Sequence, residues 1–288
     1  MNPRALTLLA LAQLAIGASA IFARFALTGG GAISVSAFRL AIAVVPIVGV
    51  ALVRRAYAAH DRTSDARLAL AGGVLAAHFI CWISSLRFAS VAVSTLLVCS
   101  IPIWTELWDV ARLGRLRPDV VVSLALGIAG VAIVIGAPSN HDTPLGIALA
   151  LAGAIAMAAY LLLVRAVSPR YSTLAVVGRT YPVAALILVV AMLATHDRIP
   201  PAGDLRAWGG IVAMALVSQL FGHTALNAAV RRLSPTFVGT VTLLEPVVAG
   251  LLAVPFFGER LTAGTLAGSA LILAAIAIAL RAEHRLRA

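Results

Sequence analysis

Ten apolar runs, each close to the roughly 20 residues that an α-helix needs to cross a bilayer, divide almost the whole chain. They fall at 5–27, 33–53, 68–86, 91–110, 119–136, 146–164, 174–194, 208–229, 236–256 and 263–280 and are numbered here as spans 1–10. Hydrocarbon supplies no hydrogen-bond partners, so each run must satisfy its own backbone and is read as a helix. The loops are short and leave no room for a separate soluble domain. Composition agrees. Of 288 residues, 61% are apolar and 11% charged, against about a quarter charged in a soluble domain. A chain this short cannot hide so much apolar surface in one core, so the apolar side chains must face lipid. The fold class expected is an all-α membrane protein of ten transmembrane helices. Span 1 has a second reading. Arg4, an apolar run and Ala18-Ser19-Ala20 have the form of a cleavable signal peptide. An uncleaved first helix is the preferred alternative, because the repeat described below uses this segment.

The formal net charge is +11, and all 22 basic residues are Arg. They form no dense patch or aromatic-interleaved ribbon, so nucleic acid is not an expected partner. Instead they punctuate the apolar runs. With a cytoplasmic N-terminus, fifteen Arg fall in inner loops and tails, four in outer loops, and Arg24, Arg39 and Arg179 within spans. This bias predicts a multi-pass protein of a bacterial-type inner membrane with both termini cytoplasmic. Cys81 and Cys99 lie inside apolar runs without metal-ligand spacing and are read as packing residues.

The chain repeats itself at an offset of 144 residues. Ser90–Pro102 (SVAVSTLLVCSIP) lies on Ser234–Pro246 (SPTFVGTVTLLEP), so Pro102 falls on Pro246, and Gly114 falls on Gly258. Arg39 answers Arg179 with the offset slipping to 140. Two five-span units result, residues 5–136 and 145–281. Five is odd, so the second unit enters the membrane from the opposite side. Inverted repeats of this kind build secondary transporters, with the site near the midplane where the halves meet. The alternative is a relic of duplication in a membrane protein that transports nothing.

Several motifs add a resemblance. They are His78–Ser90 (HFICWISSLRFAS), the Ser-Ile-Pro of span 4, Gly222–Asn227 (GHTALN), Leu233–Thr236 (LSPT), Leu244–Pro246 (LEP) and Phe257–Thr262 (FGERLT). Over its whole length the chain resembles the EamA-type family of the drug/metabolite transporter superfamily. That resemblance implies ten helices, a central cavity, and export or exchange of small metabolites such as amino acids. One departure stands out: the first half reads Leu113–Pro118 (LGRLRP) and lacks the acid that the second half has as Glu259.

Polar groups at membrane depth are costly and each asks for a reason. Glu245 precedes Pro246 in span 9; Pro removes a backbone hydrogen bond and kinks the helix. The acid is a candidate for proton coupling or for binding a substrate amine, and the alternative is an acid locked to an Arg or hydroxyl. Span 8 carries Gln219, His223 and Asn227 at i, i+4 and i+8, on one helical face. That stripe lines a cavity or ties helices together. His78 and Trp82 are read as cavity wall or as packing. Trp104 is a deeper cavity candidate, Trp108 an interfacial belt residue, and Tyr160 and Tyr181 weaker candidates. Arg39 and Arg179 are expected to tie helices, with carboxylate binding as the alternative. Glu106 and Asp109 are expected to pair with Arg112 and Arg115, and Glu259–Arg260 to cap span 10. The small residues Ser123, Gly127, Gly130, Gly264 and Gly268 suggest that spans 5 and 10 pack closely or form a homodimer seam.

No phosphate-binding loop, metal-ligand cluster or nucleophile elbow is present in the sequence, and no cofactor or metal is expected. The reading is a carrier exporting or exchanging small organic metabolites by alternating access, coupled to protons. The cavity is expected from His78, Trp82, Trp104, Tyr160, Gln219, His223, Asn227 and Glu245, with Pro102 and Pro246 bending spans 4 and 9. An uncoupled facilitator is the main alternative; an intramembrane enzyme is a lesser one.

Overall fold

The computed structural model describes residues 3–58, 60–89, 91–114, 117–135, 143–257 and 262–285. Every described element is helical. Among the described residues, nine helical segments are long and apolar enough to cross a membrane, and together they make the chain a multi-pass membrane protein. They are Leu6–Ala26, Ala32–Val53, Arg62–Ser85, Val93–Arg112, Pro144–Val167, Thr173–Thr195, Leu205–Val230, Pro235–Phe256 and Leu266–Arg285. A tenth apolar helix, Pro118–Ile135, stands where span 5 was expected. Ser90, Arg115, Gly258, Glu259 and Arg260, which entered the repeat and capping arguments, lie outside the described residues.

Short polar side chains start the helices where the chain turns back into the bilayer. Asp61, Thr143, Ser172, Asp204 and Ser234 each accept a hydrogen bond from the N–H three residues on, which satisfies an orphan donor of the first turn. The Ser64 hydroxyl and N–H, with Arg170 beside them, hold the Asp61 carboxyl below its ordinary range. Span 4 ends at Gly114, whose φ of 63° is the left-handed cap that glycine adopts without strain.

Spans pair 3 with 6, 1 with 8, 2 with 7, 5 with 10 and 4 with 9. Lipid gives helices no hydrophobic reason to associate, so close packing and interhelical hydrogen bonds must hold them. The small residues serve this end. Gly130 lies against the Gly268 carbonyl and Ile272, and Ser123 Oγ donates to the Ala275 carbonyl at 2.8 Å. The small faces of spans 5 and 10 therefore meet inside the protomer.

One end of the bundle, rich in Arg, is laced by ion pairs. Arg117 Nε donates to Glu106 Oε1 at 3.2 Å, its Nη2 bonds Glu106 Oε2, and the same Nη2 reaches Asp109 Oδ2 at 3.2 Å. Both acids thus meet Arg117, a partner not expected from the sequence; Arg112 also stands within electrostatic reach of Asp109. Span 4 ends at Gly114 and the chain turns, which brings Arg117 back over Glu106; Arg115 lies outside the described residues. Glu106 is buried, so Glu106→Gln leaves Arg117 with Asp109 alone. A loss of about 2 kcal/mol is expected, less than for a fully orphaned buried charge, readable as a lowered melting temperature in detergent.

Span 7 is tied to its neighbours at both ends. At the Arg-rich end Tyr57, just past span 2, donates to the Gly178 carbonyl at 2.9 Å, and Arg179 Nε meets Asp65 Oδ1, in the first turn of span 3, at 3.1 Å. At the other end Asp197 accepts from the Ser34 N–H at 2.8 Å and hydroxyl at 3.1 Å.

Candidate functional site

Several spans are discontinuous near the middle of the bundle. Span 4 breaks between helices Val91–Val98 and Ile101–Leu113. Span 9 passes from Pro235–Val241 through a 3₁₀ turn, Thr242–Leu244, into Glu245–Phe257. Each second half-helix begins with the proline that the repeat aligns, Pro102 or Pro246, where its missing N–H costs nothing. The broken spans touch there: a Cβ on Gly239 would lie 3.1 Å from Ile101 Cγ2 and 3.3 Å from Pro102 N. Span 1 breaks at Ala18, between Pro3–Gly17 and Ser19–Ala26. Span 8 widens into a π-helix over Met214–His223, a distortion common at functional sites.

These interruptions surround a small chamber. Span 1 contributes Ile16, span 3 His78 and Trp82, span 4 Val98 and Ile101, span 6 Met157 and Leu161, span 8 His223 and Leu226, and span 9 Thr242 and Glu245. Its interior holds about 20 Å³ of space for the centre of a water-sized sphere, enough for a water molecule and too little for a metabolite. A larger guest requires the spans to move apart.

The chamber's polar groups are unevenly satisfied. The Gly153 carbonyl accepts from His78 Nδ1 at 2.9 Å, which leaves Nε2 as the free acceptor of the neutral ring. The His78 ring stacks on Trp82 with centroids 6.1 Å apart, and the Trp82 indole N–H has no partner. Glu245 Oε2 lies 3.9 Å from the Cys99 thiol, and that thiol is 3.6 Å from the Thr242 carbonyl oxygen. No Arg pairs with Glu245 among the described residues.

Beside the chamber lies a buried polar cluster. Asn227 Oδ1 accepts from the Tyr160 hydroxyl at 2.8 Å, and its amide donates to the His223 carbonyl at 2.7 Å. Arg39, fully buried, donates through Nη2 to Gln219 Oε1 at 2.9 Å. Its guanidinium stands 4.2 Å over the Phe79 ring, and that ring meets His223 edge-on at 5.5 Å.

The structure thus gathers His78, Trp82, His223 and Glu245 at the chamber wall. Tyr160, Gln219 and Asn227 stand behind it, hydrogen-bonded to other side chains. Gln219 and His223 sit on the π-helix, so the even α-helical stripe read for span 8 divides: Gln219 serves Arg39, His223 faces the chamber and Asn227 meets Tyr160. Trp104 is not at the chamber, and its indole donates to Ser100 Oγ at 3.2 Å. Arg39 and Arg179 are not equivalent. Arg179 is met by Asp65 and by the carbonyls of Ala56, Tyr57 and Ala175, whereas Arg39 has a single neutral acceptor. Sequence reasoning passed over Thr242 and the apolar lining residues and read Cys99 as packing, since only the meeting of six spans around one point distinguishes them from ordinary span residues.

A second, larger cavity of about 950 Å³ opens at the Arg-rich end. Arg67, Arg112, Arg165, Arg231 and Arg232 ring it, and Leu70, Val74, Trp108, Leu162 and Leu163 form its apolar walls. Trp108, expected at the lipid interface, lies on this wall. Along spans 6 and 8, the bonded pair Tyr160 and Asn227 falls between the residues that line this vestibule and those that line the chamber.

The model of the EamA-like transporter family matches the chain twice, over residues 3–136 and 144–281. The pseudopaline exporter of Pseudomonas aeruginosa is 28% identical over 83% of this chain and 82% of its own length. The probable amino-acid metabolite efflux pump of Salmonella typhimurium is 29% identical over 57% of this chain and 58% of its own. A solved crystal structure shares the fold with a TM-score of 0.82 at 20% identity, covering all of both chains.

Proposed function

Since the chain belongs to the EamA-like transporter family, we propose that it is a secondary carrier exporting small organic metabolites, amino acids or related amphiphilic compounds, by alternating access coupled to protons. It sits in the inner membrane with the Arg-rich end and both termini cytoplasmic. The observation that carries this reading is the small chamber, apolar but for His78, His223, Thr242 and Glu245, at the crossing of two helices broken beside repeat-related prolines. Such broken helices expose backbone at the midplane only where it lines a site.

The packing supports two inverted halves, one per family match. Exchanging each span for the one five later leaves the main contacts unchanged: 1–8 becomes 6–3, 1–9 becomes 6–4, and 2–7, 4–9 and 5–10 map onto themselves. Two halves related in this way can exchange conformations and so open the chamber alternately to either side. The vestibule supports an opening toward the cytoplasm in this conformation, with Tyr160 and Asn227 as the inner barrier. The names of the relatives, an exporter and an efflux pump, support the outward direction.

The test is counterflow in proteoliposomes with pooled labelled amino acids and a pH gradient of either sign. Saturable uptake that follows the gradient is the expected result. Uptake indifferent to the gradient identifies a facilitator, and a chemically altered product in the mass spectrum identifies an enzyme.

A further inference from the structure

Arg39 is a buried cation whose surroundings call for an anion. Its guanidinium is fully buried, its Nε and Nη1 have no hydrogen-bond partner, and no carboxylate pairs with it among the described residues. The Tyr181 hydroxyl stands nearby but carries no formal charge, and two neighbouring side chains hold unpartnered polar atoms of their own. Gln219 has given its oxygen to Arg39 and its Nε2 is buried without a partner, and His223 Nδ1 is unpartnered too. The Phe79 face offers the guanidinium some attraction but no formal charge. A guanidinium cannot shed its proton to escape, and a buried uncompensated charge is strongly unfavourable. Arg179 shows what a helix-tying Arg looks like in this protein: an acid and three carbonyls meet it.

We infer that Arg39, Gln219 and His223 form an anion-binding subsite beside the chamber, which holds a carboxylate of the transported compound. The unpartnered Nε and Nη1 leave charge-assisted donors for the oxygens of a carboxylate. His223 connects the subsite to the chamber, since its ring lines the chamber wall and meets the Phe79 edge. The compound's other end then lies toward Glu245 and Trp82. The identity of the anion as cargo rests on the carrier reading; its binding does not.

The test uses the purified full-length protein in detergent, melted with a panel of α-amino acids, 2-hydroxy acids and 2-oxo acids, each beside its own amide. Free carboxylates are expected to stabilise the protein, with a preference over the amides of at least about tenfold, the size expected of charge-assisted hydrogen bonds. Arg39→Gln is expected to bring that ratio close to one, and Arg39→Lys to keep part of it. Amides binding as well as acids, a panel without any stabilising carboxylate, or an Arg39→Gln protein with the wild-type ratio overturns the inference. The wild-type ratio and Arg39→Lys decide the matter if Arg39→Gln does not fold. Carboxylate-selective binding without counterflow upholds the subsite and removes the carrier reading.

Discussion

Glu245→Gln is expected to reduce flux driven by a pH gradient to the rate of protein-free liposomes, while exchange at equal pH on the two sides persists. The expectation follows from where the acid stands. It opens the second half-helix of span 9, lines the chamber, and has the Cys99 thiol 3.9 Å from its Oε2, with no Arg paired to it among the described residues. An acid at membrane depth without a basic partner is a group that binds and releases something. The amide keeps the shape and the hydrogen bonding and removes the exchangeable proton. Glu245→Asp should restore part of the coupled flux. Wild-type gradient-driven flux in Glu245→Gln would sink the proton-coupling role, and an unchanged melting temperature would show that the loss is not one of folding.

The largest structural effect is expected from Gly72→Leu. A Cβ at Gly72 would lie 2.7 Å from the Thr180 carbonyl oxygen and 2.7 Å from Val183 Cβ. Both belong to span 7, which packs on span 3 at this point. The carbonyl is backbone and cannot rotate aside, so the two helices must separate, carrying His78 and Trp82 away from the chamber. Forced overpacking of this kind should cost more than about 3 kcal/mol. Gly73 is the internal control, because the nearest atom to its Cβ is Ile187 Cδ1 at 3.8 Å. Gly73→Ala should melt with the wild type. A Gly72→Leu protein that also melts with the wild type would mean that the contact between spans 3 and 7 contributes little.

Much of the fold was legible without coordinates because lipid leaves few alternatives. An uncharged run of about 20 residues must be a helix there, so the spans could be placed to within a few residues. The prolines were legible for a related reason: a missing N–H weakens a helix wherever it falls, and Pro102 and Pro246 do begin the second half-helices of spans 4 and 9. The site was only partly legible. His78, Trp82, His223 and Glu245 are polar or aromatic at membrane depth and announce themselves, and they do meet at one chamber. Trp104 announces itself as loudly and yet turns to Ser100.

What the residue order determined by itself was therefore the class of protein, the approximate limits of its helices, and the breaks beside Pro102 and Pro246; the break of span 1 at Ala18 and the widening of span 8 were not legible. Those are local properties, fixed by the cost of taking each peptide group and side chain out of water. The tertiary structure alone decided which polar groups have partners. Arg39 and Arg179 read alike in sequence, but Asp65 comes to Arg179 and, among the described residues, no acid comes to Arg39. Glu106 and Asp109 find Arg117 because the chain turns at Gly114. Whether a buried charge is satisfied depends on where turns and packing place residues that are eight positions away in one case and more than a hundred in another, and a hydrogen bond acts only over a few ångströms.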